Sequence, residues 1–159
     1  MKINLLKQYP KSKRDLKKRS FNKSAKIKRV AQKFGKDYFD GSRDYGYGGF
    51  NYHKKFWGKV VKDFKKKYKL NDKSKILDIG CAKGFMVYDL KKILPKSKII
   101  GIDISRYAIK NCKKEVKKFL SLGNAKKLRF KDNYFDLVIS INTLHNLNKK
   151  DCAKSLKEI

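Results

Sequence analysis

The stretch that most constrains the fold runs from Lys75 to Phe85, with the sequence KILDIGCAKGF. Three aliphatic residues come first, and an apolar run of this length before a glycine is typical of a strand covered on both faces. Small residues follow at positions 80, 82 and 84, and they let a ligand approach the backbone. The free amides at the start of the next helix would point at that ligand. The sequence therefore predicts a strand, a tight turn and a helix that together form a ligand site.

The spacing within this turn excludes two common nucleotide motifs. A dinucleotide fingerprint needs a third small residue at the position where this chain has the bulky Phe85. A P-loop needs Lys and then Ser or Thr at its second glycine, whereas Gly84 is followed by Phe85. The pattern that fits is Asp-x-Gly-x-Ala-x-Gly, which begins at Asp78. On its own such a turn also occurs as a packing device, so the rest of the chain must decide.

A second apolar run, from Ile99 to Ile102, ends in Asp103, which lies 19 residues past Gly84. An acid at the end of the second parallel strand can accept hydrogen bonds from both hydroxyls of a ribose. The alternative is that Asp103 only helps Ser105 to cap the next helix. The glycine turn upstream favours the ribose role.

Together these features resemble the class I S-adenosylmethionine-dependent methyltransferases, whose first motif is usually Asp/Glu-x-Gly-x-Gly-x-Gly. Ala82 replaces the middle glycine here and still adds little bulk. The segment from Gly123 to Leu147 resembles the third and fourth motifs of the same family. The likeness covers about Lys75 to Leu147 and is carried by several motifs at once.

The resemblance implies S-adenosylmethionine as the cofactor and an assignment of residues around it. The implied cofactor-binding set is Asp78, Gly80, Cys81, Ala82, Gly84, Asp103, Ile104, Asn124, Ala125 and Asn142. In that assignment Ile104 packs on the adenine face and the Asn124 carbonyl accepts from the adenine amino group. Asn142 would face the transferable methyl group, with His145 as a further candidate near the acceptor. Cys81 could also serve only as a small residue in the turn.

The same resemblance implies an α/β fold of the Rossmann-like type. A mostly parallel sheet would have helices on both faces and the site at the carboxyl ends of its strands. A short third strand is expected at Phe119 to Gly123 and a fourth at Asp136 to Ile141. The family's sheet normally continues beyond the fourth strand, whereas this chain ends at Ile159. We therefore expect the C-terminal strands to be missing and the fourth strand to be an exposed edge through which the chain self-associates. In the alternative, a natural short variant, the Lys54 to Lys69 helix or the N-terminal arm covers that edge.

Two segments precede the predicted core. Residues 1–36 contain 14 Lys or Arg and one acid, and are predicted to form a basic arm with a helix from Ser24 to Phe34. Residues 37–159 would form the methyltransferase-like domain, with an aromatic and glycine-rich lid and a helix in 37–74 and an incomplete cofactor-binding core in 75–159. Tyr45 and Tyr47 are the lid's candidates for contact with cofactor or substrate. The alternative is a packed connection whose aromatic residues cover the sheet.

The formal net charge of +30 predicts attraction to phosphates. Only six of the 44 basic residues are Arg, however, and proteins that read nucleic-acid sequence favour Arg for bidentate contacts. A bias in composition, with Lys far more frequent than Arg, is the favoured explanation of the charge, so we expect nucleic-acid binding without sequence preference. S-adenosylmethionine is itself cationic, so local carboxylates such as Asp78 and Asp103 must favour its binding against the global charge.

Three further features of the sequence limit the kind of protein that this chain can be. No run of about 18 apolar residues exists, so no membrane span is expected. Three scattered cysteines, which form no disulfide or zinc pattern, fit a reducing cytoplasm. His53 and His145 have no second ligand nearby in sequence, so no metal site is expected.

The sequence thus predicts methyl transfer from S-adenosylmethionine to an unidentified small-molecule, sugar or lipid-linked acceptor. Two alternatives stay open at this point. One is an RNA methyltransferase that uses the basic arm, and the other is a truncated fragment that binds cofactor without turnover. No catalytic base is assigned, because a base is needed only if the acceptor must lose a proton.

Overall fold

The computed structural model describes residues 3–11, 24–47 and 50–159. Within that part of the chain, four strands form one sheet in the order β3-β2-β1-β4, and every neighbouring pair is parallel. The strands are β1 (Lys75–Ile79), β2 (Lys98–Asp103), β3 (Leu120–Leu122) and β4 (Leu137–Ile139). The predicted parallel α/β fold is confirmed. The third and fourth strands are shorter than the sequence predicted, and each pairs on one side only.

Helices precede and connect these strands. They are α1 (Ala25–Gln32), α2 (Lys36–Asp40), α3 (Lys54–Trp57), α4 (Val60–Lys67), α5 (Phe85–Ile93), α6 (Arg106–Lys110) and α7 (Lys149–Glu158). Short 3₁₀ turns lie at Arg43–Tyr45, Lys114–Phe119 and Leu144–Asn146. The sequence predicted one helix from Lys54 to Lys69, and this prediction was wrong in one respect. The helical segment divides into α3 and α4 around Gly58, because the Gly58 amide ends α3 by donating to the Lys54 carbonyl oxygen at 3.0 Å.

The first face of the sheet carries most of the core. Helices α4 and α5 pack on it because each presents an apolar stripe at helical spacing. Their buried residues are Val60, Val61 and Phe64 of α4 with Met86, Val87 and Leu90 of α5, and they meet Ile76 and Ile99 of the sheet. Full burial of each such side chain stabilises the fold by about 1.5–3 kcal/mol relative to exposure. This face therefore fixes β1, and with it the glycine turn that follows.

The second face is covered by the segment after β3, which α7 contacts in turn. Leu77, Ile79 and Ile102 form its buried centre, with Ala125, Leu128, Phe130, Phe135 and Val138 packed around them. Two side-chain contacts tie α7 to that segment. Lys126 Nζ lies 2.9 Å from Asp151 Oδ2, and the Leu128 amide donates to Glu158 Oε2 at 2.6 Å. The sheet thus has covering elements on both faces.

Strand β4 ends the sheet on one side, as the sequence predicted for the fourth strand. Leu137 and Val138 in it are half-buried. Helix α4 packs on the first face beside α5. Self-association through the β4 edge stays a prediction.

Described residues of the N-terminal third contact this core, and one of them caps a helix. The Ser24 side chain accepts from the Ile27 amide and begins α1, in agreement with the predicted helix. Tyr9 lies with its ring centroid 4.9 Å from that of Trp57. Residues 1–2 and 12–23 of the predicted basic arm, and 48–49 of the predicted lid, lie outside the described residues. The division of the chain at residue 36 stays a prediction.

None of the helices in residues 3–11, 24–47 and 50–159 combines the length and the apolar character needed to cross a bilayer.

Candidate functional site

The turn after β1 is fastened to β2 by its backbone. The amides of Gly80 and Cys81 both donate to the Ile102 carbonyl oxygen, at 2.8 and 3.0 Å. Gly80 has φ of 81°, and a Cβ there would lie 1.9 Å from Thr143 Oγ1, so only glycine fits. Ala82 also has a positive φ, 50°, at the position where the family usually has glycine. The turn predicted from sequence is therefore present, with one alanine in a conformation that side chains disfavour.

Asp103 ends β2 and reaches across to this turn. Its Oδ2 accepts from the Ala82 amide at 2.8 Å, and its Oδ1 accepts from the Ser105 amide at 2.8 Å. The carboxylate is 8% exposed, and burial raises its pKa although the backbone hydrogen bonds act in the opposite direction. Ser105 then caps α6 by accepting from the Ala108 amide. Asp103 thus organises the turn and the start of α6, and its binding of a ribose stays a prediction.

Asp78 lies in β1, on the register of Gly101 in β2 and Ile139 in β4. Its side chain is 3% exposed, and burial together with the charge of Asp103 raises its pKa to about 8. Two carboxylates that disfavour each other's ionisation form a site that a cation stabilises. This electrostatic arrangement matches the positive charge of a sulfonium ligand.

Apolar surface adjoins the carboxylates at the ends of β2 and β3. Ile104 is 59% exposed and directly follows Asp103. Leu122, whose backbone is in register with Asp103, is also exposed. An exposed aliphatic pair beside a carboxylate suits a nucleoside, whose base is flat and apolar on its faces and whose sugar carries hydroxyls. The sequence did not single out Leu122.

Three further residues of the predicted cofactor-binding set, Cys81, Asn124 and Ala125, make contacts within the protein. Cys81 is buried against Gly101, where burial raises the pKa of its thiol, so its side chain faces the core. The Asn124 side-chain oxygen accepts from the Lys126 amide at 3.0 Å. Ala125 packs on the second face of the sheet. The roles assigned to these three in cofactor binding stay predictions.

The segment after β4 borders the turn through Thr143, a residue that the sequence placed in the segment 142–145 at the end of the fourth strand but did not single out. Thr143 Oγ1 donates to the Ile79 carbonyl oxygen at 3.1 Å and occupies the space beside Gly80. Asn142 and His145, the predicted residues, are both exposed. The Asn142 backbone has φ of 55°, and its carbonyl oxygen accepts from the Asn146 side chain. No periodicity marks Thr143, and only its contact with Gly80 identifies it.

The predicted lid lies beside the carboxylates. The Tyr47 amide donates to the Tyr38 carbonyl oxygen at 3.2 Å, and its ring centroid is 5.0 Å from that of Phe39. Burial, followed by neighbouring groups that include Tyr9 and Asp103, raises the pKa of the Tyr47 hydroxyl. Tyr45 ends a 3₁₀ turn and is half-buried. The Tyr47 hydroxyl therefore lies close enough to the site for the charge of Asp103 to affect its pKa.

These groups fit S-adenosylmethionine by their chemistry. Asp78 and Asp103 would supply negative charge and hydrogen-bond acceptors, and Ile104 would supply an apolar surface. The start of α5 would supply backbone amides, because the first hydrogen bond within this helix is the one that the Tyr88 amide donates to the Gly84 carbonyl oxygen. The arrangement is that of a class I methyltransferase domain.

Comparison with known proteins gives the family. Residues 70–159 match a family described as "Methyltransferase domain", so this chain belongs to it. S-adenosylmethionine is the cofactor of this class. The match begins just before β1 and includes the glycine turn, Asp103 and the segment after β4.

Among curated proteins, the chain is 36% identical over 84 residues to the mouse protein "Arginine-hydroxylase NDUFAF5, mitochondrial", covering 52% of this chain and 24% of that one. It is 31% identical over 101 residues to the malonyl-[acyl-carrier protein] O-methyltransferase of Bacillus cereus, covering 62% of this chain and 37% of that one. The chain therefore spans roughly a quarter to a third of the length of these relatives.

Solved structures share the fold. The MccD protein has a TM-score of 0.53 at 25% identity, covering 62% of this chain and 45% of that one. The [4+2]-cyclase SpnF has a TM-score of 0.57 at 17% identity, covering 71% of this chain and 43% of that one, which shows a common fold only.

Proposed function

We propose that this chain binds S-adenosylmethionine at the carboxyl end of its sheet and transfers the methyl group to a small-molecule, sugar or lipid-linked acceptor. The observation that carries the proposal is the pair of buried carboxylates, Asp78 and Asp103, at the ends of adjacent strands around the glycine turn. They lie within the segment that matches the methyltransferase family.

When bound, the cofactor supplies an activated methyl group, because its sulfur leaves as a neutral thioether. The task of the chain is then to bind, align and exclude water. Asp103 and Ile104 would hold the nucleoside, and Asp78 would balance the positive charge. Tyr47 and the segment around it would limit the access of water to the site.

An oxygen nucleophile is the acceptor that we favour. One relative is named as a malonyl-[acyl-carrier protein] O-methyltransferase, and a carboxylate oxygen, one kind of oxygen acceptor, is already deprotonated at neutral pH. Such an acceptor needs alignment and no general base. This fits the candidate site, in which no residue is assigned as a base.

A second candidate is cofactor binding without methyl transfer. One relative is named as a hydroxylase and one structure with this fold as a cyclase, so the fold supports more than one reaction. An RNA methyltransferase is less favoured, because only six of the 44 basic residues are Arg, the residue that proteins reading nucleic-acid sequence favour for bidentate contacts.

The test has two steps. Calorimetry first measures S-adenosylmethionine binding by the parent chain and by Asp103→Ala. A cell extract is then incubated with methyl-labelled cofactor and each protein, and the fractions are counted. We expect label in a small-molecule or lipid fraction with the parent alone. Binding without label in any fraction would favour the second candidate, and label in RNA would favour the RNA methyltransferase.

A further inference from the structure

In the described part of the chain, Lys83 is the one lysine that is buried, at 6% exposure. It lies inside the glycine turn, between Ala82 and Gly84. A buried ammonium is costly unless other groups pair with it, so its partners are part of its role. Its own backbone is fixed as well, because the Lys83 carbonyl oxygen accepts from the Lys113 amide at 3.0 Å.

The Lys83 ammonium has two partners, and both belong to the predicted lid. Nζ forms an ion pair with Oδ1 of Asp40 and donates to the Phe50 carbonyl oxygen at 3.1 Å. Asp40 ends α2, and nine residues of sequence separate it from Phe50. One ammonium therefore contacts the chain both before and after residues 41–47, the segment that contains Tyr45 and Tyr47.

Asp40 is held from a second side by α6. Tyr107 Oη donates to Asp40 Oδ2 at 2.7 Å, so both oxygens of the carboxylate are used. Partial burial acts to raise the pKa of Asp40, but the hydrogen bonds from Lys83 and Tyr107 outweigh it and leave the pKa below its ordinary value. Asp40 is therefore ionised at neutral pH and neutralises Lys83, which is not available to bind an anionic ligand.

The flanks of the segment are anchored independently of Lys83. Ser105 Oγ donates to the Phe34 carbonyl oxygen at 2.6 Å, and Tyr52 Oη donates to Asp89 Oδ1 at 2.5 Å. Release of the Lys83 contacts would therefore free the segment between two fixed points, Phe34 and Tyr52, and leave both of them attached to the core.

We infer that Lys83 is a positioning residue, which with Asp40 forms a clasp that holds residues 41–47 closed beside the glycine turn and couples their position to cofactor binding. The coupling runs through the turn, since Ala82, the residue before Lys83, donates its amide to Asp103. The inference about coupling rests on the proposed function. The closed position of the segment does not, so the two are tested separately.

An arginine-specific protease reports on the segment directly. The chain has six arginines, of which Arg43 lies in the segment and Arg129 lies after β3. We expect Lys83→Met to be cleaved at Arg43 at least about tenfold faster than the parent, because two hydrogen bonds of the charged ammonium are lost. Cleavage at Arg129 should not change. Lys126→Met, which removes a half-buried lysine paired with Asp151, is the matched control and should leave the Arg43 rate unchanged.

Tyr107→Phe keeps every charge and removes one hydrogen bond to Asp40. It should accelerate cleavage at Arg43 by a smaller factor, about fivefold, and it covers the case in which Lys83→Met does not fold. Asp40→Asn and Lys83→Met should not be additive, because either one opens the same clasp. Equal Arg43 rates in the parent, Tyr107→Phe and a folded Lys83→Met would overturn the inference.

The coupling is measured by adding S-adenosylmethionine. Bound cofactor should slow cleavage at Arg43 in the parent by several-fold. The Lys83→Met variant should be cleaved at the same rate with and without cofactor, although calorimetry should show that it still binds the cofactor. Equal protection of both proteins would refute the coupling. A parent that binds no cofactor would instead refute the proposed function, while the protease comparison without cofactor would still decide whether the clasp closes the segment.

Discussion

The two ends of the sheet carry different ionisable groups. At the carboxyl end, Asp78 and Asp103 lie buried around the glycine turn, and Lys83 is paired with Asp40. At the amino end, a groove of about 510 Å³ is lined by Lys62, Lys65, Lys66, Lys69, Leu70 and Ile93. These residues come from α4, the connection to β1 and the last turn of α5. We call this surface the lysine groove.

The lysines of the groove recur at helical spacing, so they form one charged face about 10 Å long. Among residues 3–11, 24–47 and 50–159, no ion pair involves any of them. Carboxylates at this end are used by the backbone: Asp136 accepts from the Lys75 amide at 2.7 Å and Asp72 from the Lys96 amide at 3.0 Å.

The difference shows why the net charge of +30 says little about the ligand of the turn. That charge is a sum over both ends, whereas a bound cofactor responds to the groups within a few ångströms. A cationic cofactor and a polyanion can each be attracted to this chain, at opposite ends of one sheet.

The largest expected effect follows from removing the acceptor at the carboxyl end. Asp103→Ala should weaken S-adenosylmethionine binding by roughly 10- to 100-fold, because charge-assisted hydrogen bonds contribute about 1.5–3 kcal/mol each. Isothermal calorimetry measures it. Asp136→Ala is the matched control, since it removes a carboxylate that also accepts from a backbone amide, but at the amino end. Equal losses in the two variants would remove the distinction between the ends.

The pH dependence of binding tests the other carboxylate. The pKa of Asp78 is raised to about 8, and a cationic ligand favours the ionised form, so binding releases a proton. Affinity for S-adenosylmethionine should therefore rise about tenfold from pH 6 to pH 7 and level off above pH 8. Asp78→Asn should show a flatter profile. A parent profile that is flat between pH 6 and pH 7 would contradict the role of Asp78.

The same group affects the stability of the ligand-free protein with a defined sign. The unfolded chain loses the Asp78 proton near the ordinary pKa of 3.8, whereas the folded protein keeps it to about pH 8. The free energy of unfolding should therefore fall as pH rises from about 4 to about 8, and Asp78→Asn should reduce that fall. Denaturant melts at several pH values measure it without any cofactor.

The parts of the fold that could be predicted from sequence are those that depend on local residue patterns. Strands β1 and β2 and the turn could be predicted because continuous apolar runs report burial on both faces. The division of the Lys54 to Lys69 helix could have been suspected from Gly58, but an unbroken apolar stripe argued for one helix. Strands β3 and β4 were predicted too long, because strand length depends on pairing partners and not on apolar character alone.

At the site, residues that are adjacent in sequence to a motif could be predicted, and those brought there by the fold could not. Asp78 and Asp103 end apolar runs and were identified. Thr143, which is brought to Gly80 from 63 residues further along the chain, has no such signal. The pairing of Lys83 with Asp40 likewise has no signal in the sequence.

At the amino end we expect RNA to bind without sequence preference and with strong salt dependence. A variant with Gln at Lys62, Lys65, Lys66 and Lys69 should reduce the slope of log affinity against log salt by about 3, since each phosphate contact to a single strand contributes about 0.7. The matched control carries Gln at four exposed lysines of α7, namely Lys149, Lys150, Lys154 and Lys157, and should lose less than about 1. Equal losses would show that RNA binds over the whole surface, and an affinity for one RNA that persists at high salt would favour RNA as a specific substrate.

The smallest expected effect compares backbone strain at the two ends. Ala82 in the turn and Lys69 at the end of α4 both have positive φ, 50° and 51°. Replacing either with glycine removes a penalty of about 1–2 kcal/mol and adds an entropic cost of about 0.4–1 kcal/mol in the unfolded state, so each variant should be slightly more stable. Ala153→Gly, at an exposed position inside α7, is the control and should lose about 1 kcal/mol. Thermal melting gives the three shifts.

Ala82→Gly should also keep its affinity for S-adenosylmethionine, because the family's usual residue is restored in the turn. A loss of stability in Ala82→Gly as large as in Ala153→Gly would mean that the alanine contributes packing that outweighs its strain.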